Sequence, residues 1–252
     1  MKKMCWIGMF FLLMGTGLMA QTNVIAHRGF WDCEGSAQNS ITAFEKAAEE
    51  NLFGSELDVL ITADGIPVVN HDDNIQGFVI ENSTYDQLKD LKLKNGESLP
   101  TLEQYLKVGK QHPNTKLIIE IKPHKRVVNE DRAAAVILCL VDKYKLQNQV
   151  EYISFSMNIC KEVIRRDPAA LVYYLNGEVS PADLKALGFH GVDYHFSKYE
   201  QNPGWIEEAR SLGMAVNVWT VNDEALMKSF IDQKVDYITT DKPLLLKEVL
   251  SK

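Results

Sequence analysis

Strand-like and helix-like stretches alternate along almost the whole chain, and this alternation limits the possible fold more than any other feature. Eight short runs rich in β-branched and apolar residues read as strands, and helical spacing of apolar residues follows them. This order is typical of α/β proteins with parallel strands. The predicted strands are residues 24–26, 54–61, 116–121, 151–154, 170–175, 191–194, 215–219 and 236–239.

Helical spacing is clearest at residues 40–50, 130–144, 182–187, 205–212 and 223–231. Eight strand–helix units in a chain of 252 residues match a TIM barrel, so we predict a single-domain α/β fold, a (β/α)8 barrel. The alternative is an open doubly wound sheet, which usually carries a glycine-rich phosphate turn after its first strand. Here the first strand runs instead into His27-Arg28-Gly29.

An Asp-Gly pair interrupts the alternation after the second strand. Asp64 and Gly65 separate two β-rich runs, which is a strong hairpin signal. With these two as the turn residues, Asp58 faces His71 across the hairpin and Glu56 shares that face. We therefore predict a β-hairpin extension that returns His71 to the level of Asp58.

The first twenty residues have the features of a secretory signal peptide. Lys2 and Lys3 precede an apolar run over residues 7–19, and Leu18-Met19-Ala20 ends in a small residue. The run is shorter than the roughly 20 residues of a membrane-spanning helix. We therefore expect cleavage after Ala20, export to the periplasm, and no stable membrane insertion of the mature domain at residues 21–252.

Composition narrows the possible partners. The net charge is −7, with 46% hydrophobic and 24% charged residues, which is ordinary for a soluble globular protein. We expect no nucleic-acid partner, because broad phosphate binding needs a basic face. Beyond the first twenty residues there are three cysteines, Cys33, Cys139 and Cys160, without metal-binding spacing. Cys139 lies in an apolar run, so we expect it to be buried.

Polar side chains lie at or near the ends of several predicted strands. In a TIM barrel, the carboxyl ends of the strands surround the active site. Successive side chains of a strand point to opposite faces, so on the third strand Glu120 and Lys122 face the barrel interior, and on the seventh strand Asn217 and Trp219 share one face. We expect Asn217 and Trp219 to line a substrate pocket. The polar strand residues are His27, Glu56, Asp58, Glu120, Lys122, Asn217 and Trp219.

Three carboxylates in one pocket require a cation or protons, because unpaired buried anions are costly. Glu56, Asp58 and Glu120 form an all-oxygen set, which suits one divalent cation, Ca²⁺ or Mg²⁺. The metal-free interpretation is a carboxylate acid/base pair, as in a glycosidase. We favour the metal because two histidines and two cationic side chains share the predicted pocket.

His27 and His71 suit general acid and base catalysis near neutral pH. The alternative for each is a pocket histidine that only orients another group. Arg28 and Lys122 carry positive charge that suits phosphate oxygens. Their alternative is ion pairing with the carboxylates.

These residues belong to an ordered series of motifs that resembles glycerophosphodiester phosphodiesterases. The HRG segment alone is a weak signal, but the ordered set is specific and runs from about residue 24 to residue 243. The segments are His27-Arg28-Gly29, Glu56-Leu57-Asp58-Val59, Asp64-Gly65, Pro67-Val68-Val69-Asn70-His71-Asp72, Leu99-Pro100-Thr101-Leu102-Glu103, Glu120-Ile121-Lys122-Pro123, Asn217-Val218-Trp219-Thr220-Val221-Asn222 and Ile238-Thr239-Thr240-Asp241-Lys242-Pro243.

The resemblance implies a TIM barrel of the phosphatidylinositol-phospholipase-C-like type and a small glycerophosphodiester substrate. Such a substrate, for example glycerophosphocholine, is cleaved to glycerol 3-phosphate and an alcohol. The roles implied are metal binding for Glu56, Asp58 and Glu120, acid/base catalysis for His27 and His71, and phosphate binding for Arg28 and Lys122.

One segment departs from the family pattern. The family usually continues with a Pro-Glu-Asn-Thr-like run, where this chain has Ala37-Gln38-Asn39-Ser40. Gln38 replaces a carboxylate, so a charged contact near the metal or the glycerol is weakened or lost. Asn39 or Ser40 could still cap the first helix. Substrate preference is therefore more open than activity.

Two further functions compete with this one. A related phospholipase D or lyase acting on lysophospholipids would need an apolar lip, for which Phe30, Trp31, Phe196 and Trp205 are candidates. The second competing function is that of a barrel that binds a phosphorylated ligand without turnover. The complete set of candidate catalytic and metal-binding residues argues against this function.

Overall fold

The described part of the chain is built around a closed parallel sheet. The structure is a computed structural model that describes residues 21–252, so the predicted signal peptide at residues 1–20 lies outside the described residues. The strands over residues 21–252 are β1 (Asn23–Ala26), β2 (Gly54–Ile61), β3 (Pro67–Val69), β4 (Asn74–Ile75), β5 (Phe78–Val79), β6 (Lys116–Ile121), β7 (Val150–Ser154), β8 (Val172–Tyr174), β9 (Gly191–His195), β10 (Ala215–Trp219) and β11 (Tyr237–Thr240). The α-helices over the same residues are α1 (Ile41–Glu49), α2 (Tyr85–Leu88), α3 (Leu102–Gly109), α4 (Val127–Tyr144), α5 (Met157–Arg166), α6 (Pro181–Ala186), α7 (Phe196–Gln201), α8 (Trp205–Ser211), α9 (Glu224–Asp232) and α10 (Pro243–Leu250), with a 3₁₀-helix at Ile80–Asn82.

Eight parallel strands close the barrel. They pair in the order β1, β2, β6, β7, β8, β9, β10 and β11, and β11 pairs again with β1. Ala26 marks the closure, because it is in register with Thr240 on one side and with Ser55 on the other. The predicted (β/α)8 barrel is confirmed, and the open doubly wound sheet is excluded.

Alternation along β6 divides the core into two layers. Leu117, Ile119 and Ile121 belong to the large apolar cluster that also contains buried helix residues. Ile118 belongs instead to a smaller cluster with Ile25, Ile153, Tyr173 and Leu175, which fills the barrel interior. The predicted orientation of this strand is therefore correct, and it turns Glu120 toward the barrel axis.

The segment of residues 62–101, here called the insertion, lies between β2 and α3. It carries a small apolar core of its own, which packs beside the barrel. This core contains Leu60, Val68, Ile75, Ile80, Leu88 and Leu99. The insertion begins with the predicted hairpin, since β3 pairs antiparallel with β2.

The predicted register of this hairpin is wrong by one residue. Val59 is in register with Val69, and the N–H of Asn70, not that of His71, donates to the carbonyl of Asp58. The loop has three residues because the Thr62 hydroxyl accepts a hydrogen bond from the N–H of Ile66 at 2.9 Å. Gly65 follows with φ +89°, as a three-residue hairpin loop requires.

Side-chain caps fix the starts of two helices, and Ser40 is one of the two residues predicted to cap the first. Ser40 accepts from the N–H of Ala43 at the start of α1, and Thr101 forms a capping box with Gln104 at α3. The expectation for Cys139 is wrong, because that side chain lies on the solvent side of α4. Among residues 21–252, no helix has the length and apolar character needed to span a bilayer.

Candidate active site

The carboxyl ends of the barrel strands surround a cavity of about 100 Å³, here called the catalytic cavity. Its lining includes predicted site residues from four strand ends and from the insertion. These residues are His27, Arg28, Glu56, His71, Glu120, Lys122 and Trp219. Asn217 does not line it, because its amide lies deeper in the barrel and donates to Thr239 Oγ1 at 2.9 Å.

Glu56, Asp58 and Glu120 have the geometry of a cation site. One carboxylate oxygen of each lies within 4.8 Å of the others, and all three side chains are buried. Oε1 of Glu56 has no hydrogen-bond partner among the residues that the structure describes. Buried oxygens of this kind are the ligands that hard divalent cations prefer. The residues present therefore fit a divalent cation.

The protonation of these carboxylates reflects their crowding. Burial, together with the charges of Asp58 and Glu120, raises the pKa of Glu56 well above its usual range. Burial and the charge of Asp58 raise the pKa of Glu120 to about 7. A bound cation would remove this penalty, because it stabilises the ionised form of each ligand.

Asp58 is held ionised by its neighbours. Burial alone would raise its pKa, but Lys122, the amide of Asn39 and nearby His71 and Arg28 outweigh burial and lower it. Nδ2 of Asn39 donates to Asp58 Oδ2 at 2.8 Å, and Asn39 Oδ1 accepts from the Asp58 N–H at 3.0 Å. Asn39 adopts φ +62° to make both contacts. The sequence suggested Asn39 only as a helix cap, which is the role that Ser40 fills.

Lys122 and Arg28 line the cavity beside the carboxylates. Nζ of Lys122 is 2.8 Å from Glu120 Oε1 and 3.2 Å from Asp58 Oδ1. Nε of Arg28 is 3.7 Å from Asp58 Oδ2, and its Nη1 donates to Gln38 Oε1 at 3.0 Å. Gln38 thus keeps a hydrogen bond to the guanidinium but contributes no charge. Arg28 and Lys122 therefore form ion pairs with the carboxylates, which was the alternative to phosphate binding, and both side chains also line the cavity.

The glycine of the HRG segment has a packing role. A Cβ on Gly29 would lie 2.6 Å from the Cβ of Ala43 on α1, and its φ is +79°. Arg28 also adopts a left-handed φ of 57°, which turns its N–H onto Glu56 Oε2 at 2.6 Å. The close contact of β1 with α1 therefore places this N–H beside the carboxylates.

His71 reaches the cavity from the insertion although the predicted register is wrong. β3 ends at Val69, and the hydrogen bond from the Asn70 N–H to the carbonyl of Asp58 continues the pairing by one residue, so His71 lies just beyond the paired part of the hairpin. Its Nδ1 is 2.7 Å from Asp72 Oδ1. Burial lowers the pKa of His71. The charge of Asp58 acts to raise this pKa and the charge of Lys122 acts to lower it, and the net result is a lowered pKa.

His27 has a partner that the sequence did not identify. Its Nδ1 lies 2.8 Å from Oδ1 of Asp241, just beyond the end of β11. The same carboxylate accepts from Trp31 Nε1 at 3.1 Å and Asn222 Nδ2 at 2.7 Å. Burial opposes ionisation, but these hydrogen bonds hold the pKa of Asp241 at about 2. The rule that polar residues at strand ends form the site would have found Asp241.

The opposite wall of the cavity is apolar. Ile153, Phe155, Leu175 and Trp219 line it, and the rings of Phe155 and Trp219 meet edge to face at 5.5 Å. The residues suggested as an apolar lip lie elsewhere. None of Phe30, Trp31, Phe196 and Trp205 lines the cavity; Phe30 is buried, and Trp205 packs on Tyr194.

Asp193 closes the cavity from below. It is fully buried on β9, and within residues 21–252 its Oδ1 has no hydrogen-bond partner. Burial raises its pKa to about 8, although a hydrogen bond with Asn217 opposes the rise. Asp193 is a polar residue on the inward face of a predicted strand, and this pattern could have identified it from the sequence.

The chain is similar to proteins of one family over nearly its whole length. A profile of the glycerophosphoryl diester phosphodiesterase family matches residues 27–245. A glycerophosphodiester phosphodiesterase of Caldanaerobacter subterraneus subsp. tengcongensis is 29% identical over 92% of this chain and 99% of its own. A putative glycerophosphodiester phosphodiesterase of Bacillus subtilis is 30% identical over 87% of this chain and 94% of its own.

Solved structures agree in fold. A glycerophosphodiester phosphodiesterase from Parabacteroides distasonis has a TM-score of 0.91 and 51% identity, covering 92% of this chain and 98% of that one. A phosphodiesterase from Oleispira antarctica, solved with the product sn-glycerol 3-phosphate, has a TM-score of 0.80 and 23% identity, covering 92% and 98%. The resemblance seen in the motifs is confirmed, and the chain belongs to the glycerophosphoryl diester phosphodiesterase family of enzymes.

Proposed function

We propose that this protein is a metal-dependent phosphodiesterase that hydrolyses small glycerophosphodiesters to glycerol 3-phosphate and an alcohol. The observation that carries the proposal is the convergence of two histidines and two cationic side chains on one cavity, beside a cluster of three carboxylates of which Glu56 and Glu120 line that cavity. The Oleispira antarctica relative, solved with sn-glycerol 3-phosphate, supports the nature of the product.

In this proposal, Arg28 and Lys122 bind the phosphate oxygens and stabilise the charge that grows on them in the transition state. Glu56, Asp58 and Glu120 would hold a Ca²⁺ or Mg²⁺ ion. Such an ion would supply positive charge beside the phosphoryl group when bound. The apolar wall formed by Phe155, Leu175 and Trp219 suits the carbon side of a glycerol.

His27 and His71 divide the proton transfers. One removes a proton from the attacking oxygen, and the other donates a proton to the leaving alcohol. Asp241 fixes the tautomer of His27, since an ionised carboxylate at Nδ1 keeps the proton on that nitrogen. Nε2 of His27 is then the atom free to accept a proton. The attacking oxygen belongs to water or to a hydroxyl of the substrate's own glycerol.

The test is an assay of purified protein with glycerophosphocholine and with lysophosphatidylcholine, each with and without EDTA. We expect hydrolysis of glycerophosphocholine, loss of activity in EDTA and recovery with Ca²⁺ or Mg²⁺. Faster cleavage of lysophosphatidylcholine would favour a lipid-directed enzyme. Activity that persists in EDTA would favour a carboxylate mechanism without a metal. The absence of any turnover would favour a protein that only binds its ligand. A transient cyclic phosphate in ³¹P NMR would identify the substrate hydroxyl as the nucleophile.

Variants of the histidines test their roles in the same assay. His27→Ala and His71→Ala should each lower kcat by roughly 10²–10⁴-fold, the usual contribution of acid/base catalysis. His190→Ala is the matched control, because this imidazole lies outside the catalytic cavity. Turnover like that of the wild type in His27→Ala or His71→Ala would reduce that histidine to a structural role.

We also propose that the protein is exported to the periplasm after cleavage behind Ala20. The basic start, the apolar run and the small residue at position 20 support this. Cell fractionation combined with N-terminal sequencing tests it. A periplasmic protein that begins at Gln21 is the expected result, and an intact Met1 in the cytoplasm would contradict it.

A further inference from the structure

A second concave surface adjoins the catalytic cavity and shares two of its residues. It is a groove of about 330 Å³, here called the insertion groove, formed between the segment after β1 and the insertion. Its lining includes Arg28, Gln38, His71, Asp72, Lys92 and Lys94. Arg28 and His71 line both spaces, so a molecule held at these two residues can extend from one into the other.

The two spaces differ in chemistry. The catalytic cavity has a wall of aliphatic and aromatic side chains, whereas the insertion groove is lined mainly by amide and charged groups. The groove is also about three times larger, at about 330 Å³ against about 100 Å³. A phosphodiester carries two substituents on one phosphorus. With the phosphate at Arg28, the glycerol fits against the apolar wall of the cavity, and the larger groove leaves room for the alcohol.

The charges in the insertion groove are unbalanced. Lys92 and Lys94 lie two residues apart, on either side of Leu93, and both are exposed. Nζ of Lys92 donates to the neutral hydroxyl of Ser98 at 2.8 Å. Neither ammonium group forms an ion pair within residues 21–252. The carboxylate of the lining, Asp72, is already 2.7 Å from Nδ1 of His71.

The backbone that carries these lysines is attached to the rest of the groove. Nε2 of Gln76 donates to the carbonyl of Lys92 at 2.9 Å, and Lys92 pairs with Ser98 in a short antiparallel bridge. Gln38 adds no negative charge, because it is an amide that accepts from Arg28. The groove therefore presents net positive charge to whatever extends from the phosphate.

We propose that the insertion groove binds the alcohol substituent of the phosphodiester, and that Lys92 and Lys94 favour an alcohol that bears an anionic group such as a carboxylate or a phosphate. This inference rests on the proposed phosphodiesterase function and specifies its substrate class. The attraction acts through solvent, so we expect a moderate preference of roughly five- to tenfold that weakens as salt is added.

Glycerophosphoserine and glycerophosphoethanolamine test this proposal, because the two substrates differ by a single carboxylate on the alcohol. The readout is the ratio of kcat/KM for the serine compound to that for the ethanolamine compound. In the wild-type protein at low ionic strength, the ratio should exceed one and should fall in about 0.5 M salt, where the Debye length is short.

Variants connect the ratio to the lysines. In Lys92→Gln/Lys94→Gln, the ratio should fall roughly five- to tenfold, and in Lys92→Glu/Lys94→Glu it should fall further because the charge is inverted. Lys110→Gln/Lys161→Gln removes two exposed lysines outside the groove and should keep the wild-type ratio. A ratio that is the same in the wild type and in Lys92→Gln/Lys94→Gln overturns the inference while the proposed function stands. Hydrolysis of neither compound overturns both.

Discussion

His27 Nδ1 lies 2.8 Å from Asp241 Oδ1, and this contact joins the residue after the first barrel strand to the residue after the last. Trp31 and Asn222 hold the same carboxylate through its two oxygens, so its orientation does not depend on the imidazole. An ionised carboxylate at Nδ1 keeps that nitrogen protonated and leaves Nε2 for the reaction.

Replacing Asp241 with Asn should lower kcat more than it changes KM. The amide can present an N–H to Nδ1, which places the imidazole proton on Nε2 instead. We expect kcat to fall roughly 10²–10³-fold, with KM changed by less than about threefold. Steady-state kinetics over a pH series measure both quantities.

Asn222→Ala provides the control for that variant, because it removes one hydrogen bond to the Asp241 carboxylate and the one that the Asp241 N–H donates to Asn222 Oδ1, and it keeps the charge. It should lose less activity than Asp241→Asn. If Asp241→Asn retained wild-type kcat and the same pH profile, the contact with His27 would have no part in catalysis.

Asn39 should affect metal affinity through Asp58. Asn39→Gly removes both hydrogen bonds to Asp58 but tolerates the positive φ, and we expect a loss of divalent-cation affinity of roughly 10–100-fold. Asn39→Ala should lose the same affinity and, because alanine resists this φ, about 1–2 kcal/mol more of the free energy of unfolding. Calorimetric titration and urea denaturation separate the two effects. Equal stability of the two variants would count against the backbone argument.

Glu120→Gln should lower cation affinity and activity together. The amide removes one of three anionic ligands, so Ca²⁺ or Mg²⁺ should bind at least roughly tenfold more weakly, and excess cation should restore part of the activity. Glu130→Gln is a matched control, because Glu130 is also buried but bonds to Ser156 and Asn158 outside the cavity. A Glu120→Gln protein with wild-type cation affinity would remove this residue from the metal site.

Asp193 should make stability depend on pH in a definite direction. Its pKa in the folded protein is raised to about 8 from an ordinary 3.8, so between these values the folded state holds a proton that the unfolded state has lost. The contribution to stability therefore falls as pH rises through this window. Asp193→Asn carries no such proton and should gain stability over the wild type as pH rises from about 4.5 to about 8. Urea denaturation in chelator measures the difference, and a gap that does not change with pH would contradict it.

Sequence reasoning found the barrel because its strands are continuous apolar runs between turn signals. The bounds of β2, β6 and β10 agree with those predicted, since polar or turn residues end each run. The inward polar residues of these strands were also found, because successive side chains on a strand point to one of only two faces. α5 was missed, although Ile159, Cys160, Val163 and Ile164 have helical spacing.

Contacts between segments that are far apart in the sequence could not be predicted from the pattern of single strands. Asp241 is 214 residues from His27 in the sequence, and only the closure of the barrel brings the two together. The hairpin register failed on a smaller scale, because the hydroxyl of Thr62 takes the place of a backbone group in closing the loop. Asn39 depends on a left-handed φ, which local sequence permits for Asn but does not require.

The pairing of β1 with β11 makes the contact between His27 and Asp241 a property of the closed barrel. On a ribosome, His27 emerges long before Asp241, and until β11 docks beside β1 the imidazole has no carboxylate to set its tautomer. A nascent or truncated chain that stops short of β11 would hold both histidines and all three carboxylates and still lack this pair. Under the proposed mechanism, full hydrolytic activity therefore requires that the last strand has closed the ring.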